Sequence, residues 1–316
     1  MGRRNPRIFM GWFGAHVPGV LRPLRGRRRS PATPQAEAQG FGTQSRDHGM
    51  AHSPEPKVLW SSEEWLDYFR ANAKALLDLP WGAGADLTDE ERDDVAGSMQ
   101  AFQLGESSEG KHLYRCACAY ALRHEDPAYR EVIRLFIREE QRHARELGRF
   151  MKLADIPLLS RTWPDTVFRW LRHRAGLELS ITVLLTAEIL AKVYYVGLRD
   201  ATGSALLQRL CEQILADEIA HVRFQAERLA ILRQGRAAWR LRTWHGWQRM
   251  LFWGACWVVW WGHARALRAG GFRFRRFWRM AWQELRAALG QMDSRRYLSP
   301  ACIESANVSR EPAHER

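Results

Sequence analysis

The sequence predicts an all-α protein, built as an antiparallel four-helix bundle with additional helices at its N-terminal and C-terminal ends. From Ser61 onward, apolar residues recur at steps of three and four, and no segment alternates with period two over a useful length. Helix-capping residues recur along the same region. The connections near His124 and Gly203 are so short that the helices they join must run antiparallel.

Capping residues set the predicted helix limits. Capping boxes begin at Ser61 and Thr88, Asp126 precedes a first-turn proline, and Gly203 marks a helix end. These residues predict a short lead helix followed by four long ones. The predicted ranges are about 62–78 for the lead helix and then about 89–124, 127–153, 165–201 with a break near Gly176, and 204–234.

Composition divides the chain into four regions. Residues 1–56 are rich in Arg, Pro, Gly and Ser and are predicted to be a disordered basic segment. Residues 57–235 form the bundle, 236–290 a helical extension rich in Trp and Arg, and 291–316 a flexible tail. The five cysteines include no C-x-x-C pair, which indicates a reducing compartment and predicts a cytoplasmic protein. No stretch shows the roughly 20 uninterrupted apolar residues of a spanning helix.

Each long helix carries acidic residues in the middle of its apolar stripe. Two of the helices have a Glu-x-x-His motif there, and the other two have carboxylates alone. Burying an ionised carboxylate without a partner costs many kcal/mol of folding free energy, so these acidic side chains need a partner of opposite charge. Two iron ions, or manganese, would balance four carboxylates and two neutral imidazoles. The predicted metal ligands are Glu109, Glu140, His143, Glu188, Glu218 and His221, with Glu106 as an alternative or supporting residue.

Counting residues from the turns predicts that ligands on neighbouring helices lie at the same height in the bundle. In an antiparallel hairpin, residues equidistant from the turn lie at equal height, and Glu188 and Glu218 are equidistant from Gly203. Glu109 and Glu140 are likewise centred between residues 124 and 125, so Glu109 is preferred over Glu106. Three further acids lie off the stripes and are predicted to be solvated: Glu139, Glu146 and Glu227.

The order Glu, Glu-x-x-His, Glu, Glu-x-x-His on four bundle helices resembles that of the ferritin-like di-iron carboxylate proteins. The stretches GESSEG, EEQRHAREL, TAEILAKVYY and DEIAHVRFQAERL are similar to ligand helices of rubrerythrins and bacterioferritins, over about residues 89–234. In that pattern the acid of GES is the ligand, which favours Glu106. Asp217 resembles the acid that steadies an opposing histidine in this class.

Three functions are compatible with such a centre. The first is an oxidoreductase that activates O2 or peroxide and oxidises an unknown small or lipid-like substrate, as membrane-bound quinone-biosynthesis hydroxylases with similar motifs do. The second is iron handling or peroxide scavenging. The third is a structural bundle that keeps its metals only for stability. These stretches indicate no catalytic residue beyond the ligands.

The extension is the other unusual region. Trp239 to Trp282 holds nine of the fifteen tryptophans, and residues 236–290 hold eleven arginines against the single acid Glu284. This composition predicts peripheral binding to an anionic membrane at its inner face. The alternatives are packing on the bundle, a homodimer interface and, least favoured, single-stranded nucleic acid. The tryptophans expected at the acyl boundary are Trp253, Trp257, Trp260 and Trp261.

Overall fold

The computed structural model describes residues 58–107, 110–160 and 176–297. Within these ranges the regular structure is helical throughout, which confirms the all-α prediction. The expectations for residues 1–56, for the start of the predicted third long helix and for residues 298–316 lie outside the described part. The helices are α1 (Ser62–Asn72), α2 (Asp89–Glu106), α3 (Lys111–Arg123), α4 (Pro127–Leu153), α5 (Leu177–Asp200), α6 (Ala205–Leu232), α7 (Ala238–Ala269) and α8 (Phe274–Gln291).

The predicted caps begin the predicted helices. The side chains of Ser61 and Thr88 both form complete capping boxes, and the carboxylate of Asp126 accepts from the backbone N–H of Tyr129. The lead helix, however, ends at Asn72 rather than near residue 78. Further along, the backbone N–H of Leu77 donates to the side-chain oxygen of a residue on α6, so it is not available to continue the helix.

The predicted helix 89–124 is two helices. α2 ends at Glu106, and α3 begins after Gly110, whose φ of 62° lies in the left-handed region that favours glycine. A side chain at Gly110 would also collide with Ile137 of α4, since its Cβ would lie 2.6 Å from Ile137 Cδ1. Glycine therefore permits both the break and the close contact with α4.

The bundle is built around the α5–α6 hairpin. Among the described helices these two make the most extensive contact, and α4 packs against α1, α2, α3 and α6. Among the described residues, Leu177–Asp200 is long and apolar enough to cross a membrane by length and composition alone. Of the apolar window in that helix, 78% is buried inside the protein, as expected for the core helix of a bundle.

The two extension helices pack on the bundle with one side each. α7 contacts α2 and α5, and α8 contacts α5 and α6. Phe252 and Cys256 of α7 and Phe277 and Leu285 of α8 are completely buried in this contact. Packing on the bundle, one of the alternatives considered for the extension, is therefore confirmed for the inner side of both helices.

Candidate metal centre

Four helices bring acids and histidines together in the middle of the bundle. Glu106 is the last residue of α2, whereas the other residues lie inside α4, α5 and α6. Two groups of ligand atoms each lie within 4.8 Å of one another. The first group is Glu106, Glu140, His143 and Glu218, and the second is Glu140, Glu188, Glu218 and His221.

Glu140 and Glu218 belong to both groups. His143 completes the first group and His221 the second, and the centroids of the two imidazole rings are 5.8 Å apart. The arrangement is therefore compatible with a site for two cations, because each group contains one histidine and both contain Glu140 and Glu218.

The donor atoms that face this space make no well-aligned hydrogen bond with a described residue, although His221 Nδ1 and Glu140 Oε1 lie 3.1 Å apart. They are Nδ1 of His143 and of His221, both carboxylate oxygens of Glu218 and Oε1 of Glu140. His143, His221 and Glu218 are fully buried. Buried polar atoms are rarely left unpaired, because desolvation without a partner is costly. A divalent cation accepts these oxygen and nitrogen donors together, so the residues present fit a metal.

A second layer of acids holds the histidines. Nε2 of His143 lies 3.0 Å from Oδ2 of Asp217, and Nε2 of His221 lies 2.9 Å from Oε2 of Glu139. With a cation bound, Nε2 of each ring would keep its proton and donate to the carboxylate, and Nδ1 would offer its lone pair to the cluster. The expectation for Asp217 is confirmed. The residue before each Glu-x-x-His motif thus steadies the histidine of the other motif.

The prediction that the acids off the stripes are solvated is wrong for Glu139 and Glu227, which are buried. Glu227 accepts from the indole Nε1 of Trp65 at 3.1 Å. Glu146 is partly buried, and burial raises its pKa. The stripes described one face of α4 and α6, but α1 packs on a second face of α4, and its side chains also contact α6. An acid directly before both Glu-x-x-His motifs was the available indication for Glu139.

Asn72 of α1 joins the two halves of this second layer. Its side-chain Nδ2 lies 2.8 Å from Oε1 of Glu139 and 2.8 Å from Oδ1 of Asp217. Asp217 also accepts from Arg142 and Gln213. Sequence reasoning missed Asn72, because a single amide at the end of a short helix follows no period.

Protons compensate the charge of the cluster when no cation is bound. Burial, reinforced by Glu140, raises the pKa of Glu106 to about 8. Burial and the neighbouring Glu188 raise the pKa of Glu218 well above its usual range. Burial opposes protonation of His221, but the surrounding glutamates raise its pKa well above the ordinary value. A cation that binds here would therefore displace protons.

The pKa of Asp217 moves the other way. Burial would raise it, but the hydrogen bond with His143 and the charges of His143 and Arg142 lower it below the ordinary range. Asp217 therefore stays ionised beside His143. This supports the Nε2-protonated form of that histidine.

The structure brings Glu106 into the cluster. Its carboxylate is buried and accepts from the Tyr195 hydroxyl at 2.8 Å. Counting residues preferred Glu109, but that count assumed one continuous helix from 89 to 124. The interruption between α2 and α3 breaks the constant rise per residue on which the count depended. Glu109 itself lies outside the described residues, so its role stays a prediction.

Comparison of the chain with protein-family models, with curated proteins and with solved structures returns no match. The class is therefore defined by fold and site. The chain is an all-α helical protein with a buried Glu/His cluster that could hold a metal ion, an arrangement compatible with a ferritin-like site.

Proposed function

We propose that the chain binds two iron or manganese ions in this cluster and is an oxidoreductase that activates O2 or peroxide. The observation that carries the proposal is the pair of four-residue groups sharing Glu140 and Glu218, whose inward-facing donor atoms make no well-aligned hydrogen bond. Four carboxylates and two neutral imidazoles match the charge and ligand preference of two such ions. When bound, a redox-active metal pair supplies the electrons that O2 or peroxide accepts.

The protein residues have separate tasks in this proposal. Glu106 and His143 would hold one ion, Glu188 and His221 would hold the other, and Glu140 and Glu218 would be available to both. Tyr195 holds its hydroxyl proton at Oε1 of Glu106, while the amide of Gln225 donates to Oε1 of Glu188 at 3.0 Å. These hydrogen bonds fix the orientation of the Glu106 and Glu188 carboxylates.

Limited access to solvent supports a reactive centre over a purely structural one. The Glu140 side chain is 16% exposed, whereas those of His143, His221 and Glu218 are 0% exposed. Structural metal sites are usually closed by protein ligands, whereas catalytic sites keep a position open to a reactant. Oε1 of Glu140 is itself buried, so Glu140 is only the part of the cluster nearest to solvent, and a small molecule would have to approach from its side.

Metal binding is the first test. Metal-free full-length protein, titrated anaerobically with ferrous iron, should bind about two ions per chain and unfold at a higher temperature. His143→Ala and His221→Ala should each lose at least one ion. His124→Ala, at the exposed end of α3, is the matched control and should bind both. A well-folded preparation that binds no iron would contradict the proposal.

Reactivity is the second test. On exposure to air, the iron-loaded protein should consume O2 and gain near-ultraviolet absorption as the bound ions oxidise. The same exposure should be repeated with peroxide and with a quinol as reductant. Bound iron that stays ferrous with air and with peroxide, together with no consumption of O2 or quinol in the third experiment, would favour the metal-stabilised structural bundle instead.

A further inference from the structure

The outer side of α7 exposes large apolar side chains along most of its length. Trp239, Met250, Trp253 and Trp261 are 62%, 65%, 52% and 77% exposed. Their spacings of 11, 3 and 8 residues place them on one side of the helix, together with the half-buried Trp257. We call these five residues the tryptophan face. Exposed tryptophans are uncommon, and a row of them indicates a surface that meets another apolar phase.

One of the predicted membrane-facing tryptophans does not belong to this face. Trp260 is buried between α7 and α8, where its ring lies 5.6 Å from that of Phe277. It lies only about 20° around α7 from Trp253, and it is buried because Phe274 and Phe277 of α8 pack over it, which composition alone could not show. The prediction that Trp260 enters the acyl boundary is therefore wrong.

Ring contacts continue the tryptophan face onto α8. The centroids of Trp253 and Trp257 are 6.0 Å apart, and Trp257 lies 4.9 Å from Phe274 at the start of α8. Phe274 then contacts Trp278, which contacts Trp282. The two helices therefore share one aromatic surface layer.

Arginines without acidic partners surround this layer. Of the eleven arginines in residues 236–290, Arg236 pairs with Glu178 and Arg265 with Asp94, and the only acid of that segment, Glu284, pairs with Lys192. The other nine are exposed and form no ion pair with the described residues. They are Arg240, Arg242, Arg249, Arg268, Arg273, Arg275, Arg276, Arg279 and Arg286.

The positions of these arginines follow the aromatic layer. Along α7, Arg242 precedes the central tryptophans and Arg268 follows them. On α8, three arginines share one side of the helix because they are spaced four and seven residues apart: Arg275, Arg279 and Arg286. At the α7–α8 turn a cleft of about 510 Å³ is lined by two arginines, a glycine and three aromatic rings: Trp260, Arg268, Gly271, Phe272, Arg273 and Phe274. Its size and lining suit a phosphate group with an apolar attachment.

We propose that the tryptophan face and its arginines bind the surface of a bilayer that contains anionic phospholipids. Indole rings lie favourably at the boundary between headgroups and acyl chains, and guanidinium groups bind lipid phosphates. The tryptophan face lies along the side of α7, so the helix would rest in the plane of the interface without crossing the bilayer. The proposal does not depend on the metal centre.

Charge favours a bilayer over a second copy of this chain. A symmetric dimer through this face would bring nine unpaired arginines against nine others, and such like-charge contact is unfavourable. Single-stranded nucleic acid is anionic but needs aromatic rings with free faces on which bases can stack. Here Trp257, Phe274 and Trp278 each already contact two other aromatic rings, which leaves them less surface for bases.

The test compares full-length variants on lipid vesicles. The double variant Trp253→Gln/Trp261→Gln removes the apolar part, and the triple variant Arg275→Gln/Arg279→Gln/Arg286→Gln removes part of the charge. The basic residues 1–36 are present in every protein, so differences between variants report on α7 and α8. All the altered side chains are exposed, so unchanged thermal unfolding should accompany each change.

Wild-type protein should sediment with vesicles that contain phosphatidylglycerol more strongly than with phosphatidylcholine alone. Each arginine near an anionic surface strengthens partitioning roughly fivefold, so the triple variant should bind on the order of 100-fold more weakly. Raised salt should weaken wild-type binding without abolishing it, because the indole contribution is not screened. Lipids with brominated acyl chains should quench wild-type tryptophan fluorescence and quench the double variant much less.

Matched controls separate this surface from general charge and apolarity. Arg115→Gln/Arg123→Gln/Arg130→Gln removes the same charge from α3 and α4, and Leu122→Gln removes an exposed apolar side chain; both should bind vesicles like wild type. The proposal is overturned if the control triple weakens binding as much as the α8 triple. Equal quenching of wild type and double variant would also overturn it. So would a wild-type dimer that forms without lipid and is lost in the double variant, or tighter binding to single-stranded DNA than to vesicles.

Discussion

A single amide, that of Asn72, contacts the carboxylates that hold both histidines of the cluster. Glu139 belongs to the His221 half and Asp217 to the His143 half, and Asn72 lies 2.8 Å from each. The amide thereby couples the orientation of two imidazole rings that are otherwise held by different helices. Asn72 thus contacts the supports of both rings without belonging to the cluster itself.

Replacing Asn72 with alanine should weaken both metal positions together, by 10- to 100-fold in affinity, because both supporting carboxylates lose a donor. Gln213→Ala is the matched control. Gln213 contacts Asp217 but not Glu139, so this change should weaken one ion more than the other. Anaerobic titration with ferrous iron or cobalt resolves the two cases. Wild-type affinity for both ions in Asn72→Ala would show that Asn72 has no positioning role.

His263 links the extension to the bundle through a neutral imidazole. Its Nδ1 lies 2.8 Å from the Ser98 hydroxyl of α2, and its ring packs edge-on against Phe102 and Tyr194. Burial in this apolar setting lowers its pKa to about 4. The folded protein therefore excludes a proton that the unfolded chain accepts near pH 6.5.

This difference predicts a loss of stability in acid. Because the folded pKa is lower, stability is complete above about pH 6.5 and falls as the pH drops towards 4, by up to about 3 kcal/mol. His263→Gln keeps a hydrogen-bonding group but cannot titrate in this range. Chemical unfolding of metal-free protein at several pH values should therefore show a smaller acid loss for the variant. Parallel pH curves would exclude His263 as the cause.

At the scale of helices, the extension is held where two backbones nearly touch. A Cβ on Gly270, at the end of α7, would lie 2.1 Å from the carbonyl oxygen of Gly197 in α5. A Cβ on Gly197 would instead lie 2.7 Å from Cδ2 of Leu267, the end of a flexible side chain. Glycine is needed at the first position because the neighbour is rigid backbone, whereas at the second the neighbour can move.

Alanine substitutions should rank accordingly. Gly270→Ala should lower the free energy of unfolding by about 3 kcal/mol or more, and Gly197→Ala by about 1–2 kcal/mol. Gly246→Ala, within α7 and with open space around it, should raise it by up to about 1 kcal/mol, because alanine favours helix. Urea unfolding of the three variants measures the order. A stable Gly270→Ala protein would show that α7 can shift away from α5.

At the scale of the whole molecule, the extension is part of the folded core as well as a surface. The helices α1 to α8 belong to one compact unit. The helix α5 packs against both α7 and α8, and its residues Tyr194, Gly197 and Leu198 are buried. The two main interpretations of the extension are therefore compatible, because its inner side packs on the bundle and its outer side is exposed.

A chain that stops at Gly235 should not behave as an independent bundle. Removing α7 and α8 would expose apolar surface on α5 and leave Lys192 without Glu284. We expect the truncated protein to unfold at a lower temperature and to aggregate, as measured by circular dichroism and size-exclusion chromatography. A soluble truncated protein with an unchanged unfolding temperature would contradict this assignment.

Local interactions explain what was predictable. The capping residues Ser61, Thr88 and Asp126 act within one turn of their own helix, so neighbouring residues in the sequence are enough to predict them. The two Glu-x-x-His motifs likewise place both side chains on one helix face. These features predicted the bundle and most of the cluster without any knowledge of packing.

Contacts between distant segments decided the rest. The stripes on α4 and α6 could not show that α1 buries Glu139 and Glu227, since burial depends on which helix covers which face. Trp260 and Trp261 are neighbours in sequence, yet one is buried against α8 and the other is exposed, because adjacent residues of a helix point about 100° apart. The sequence by itself determined the helices and the centre of acids and histidines. The tertiary structure decided how α1, α7 and α8 lie on the bundle, because side chains far apart in the chain meet only when it folds.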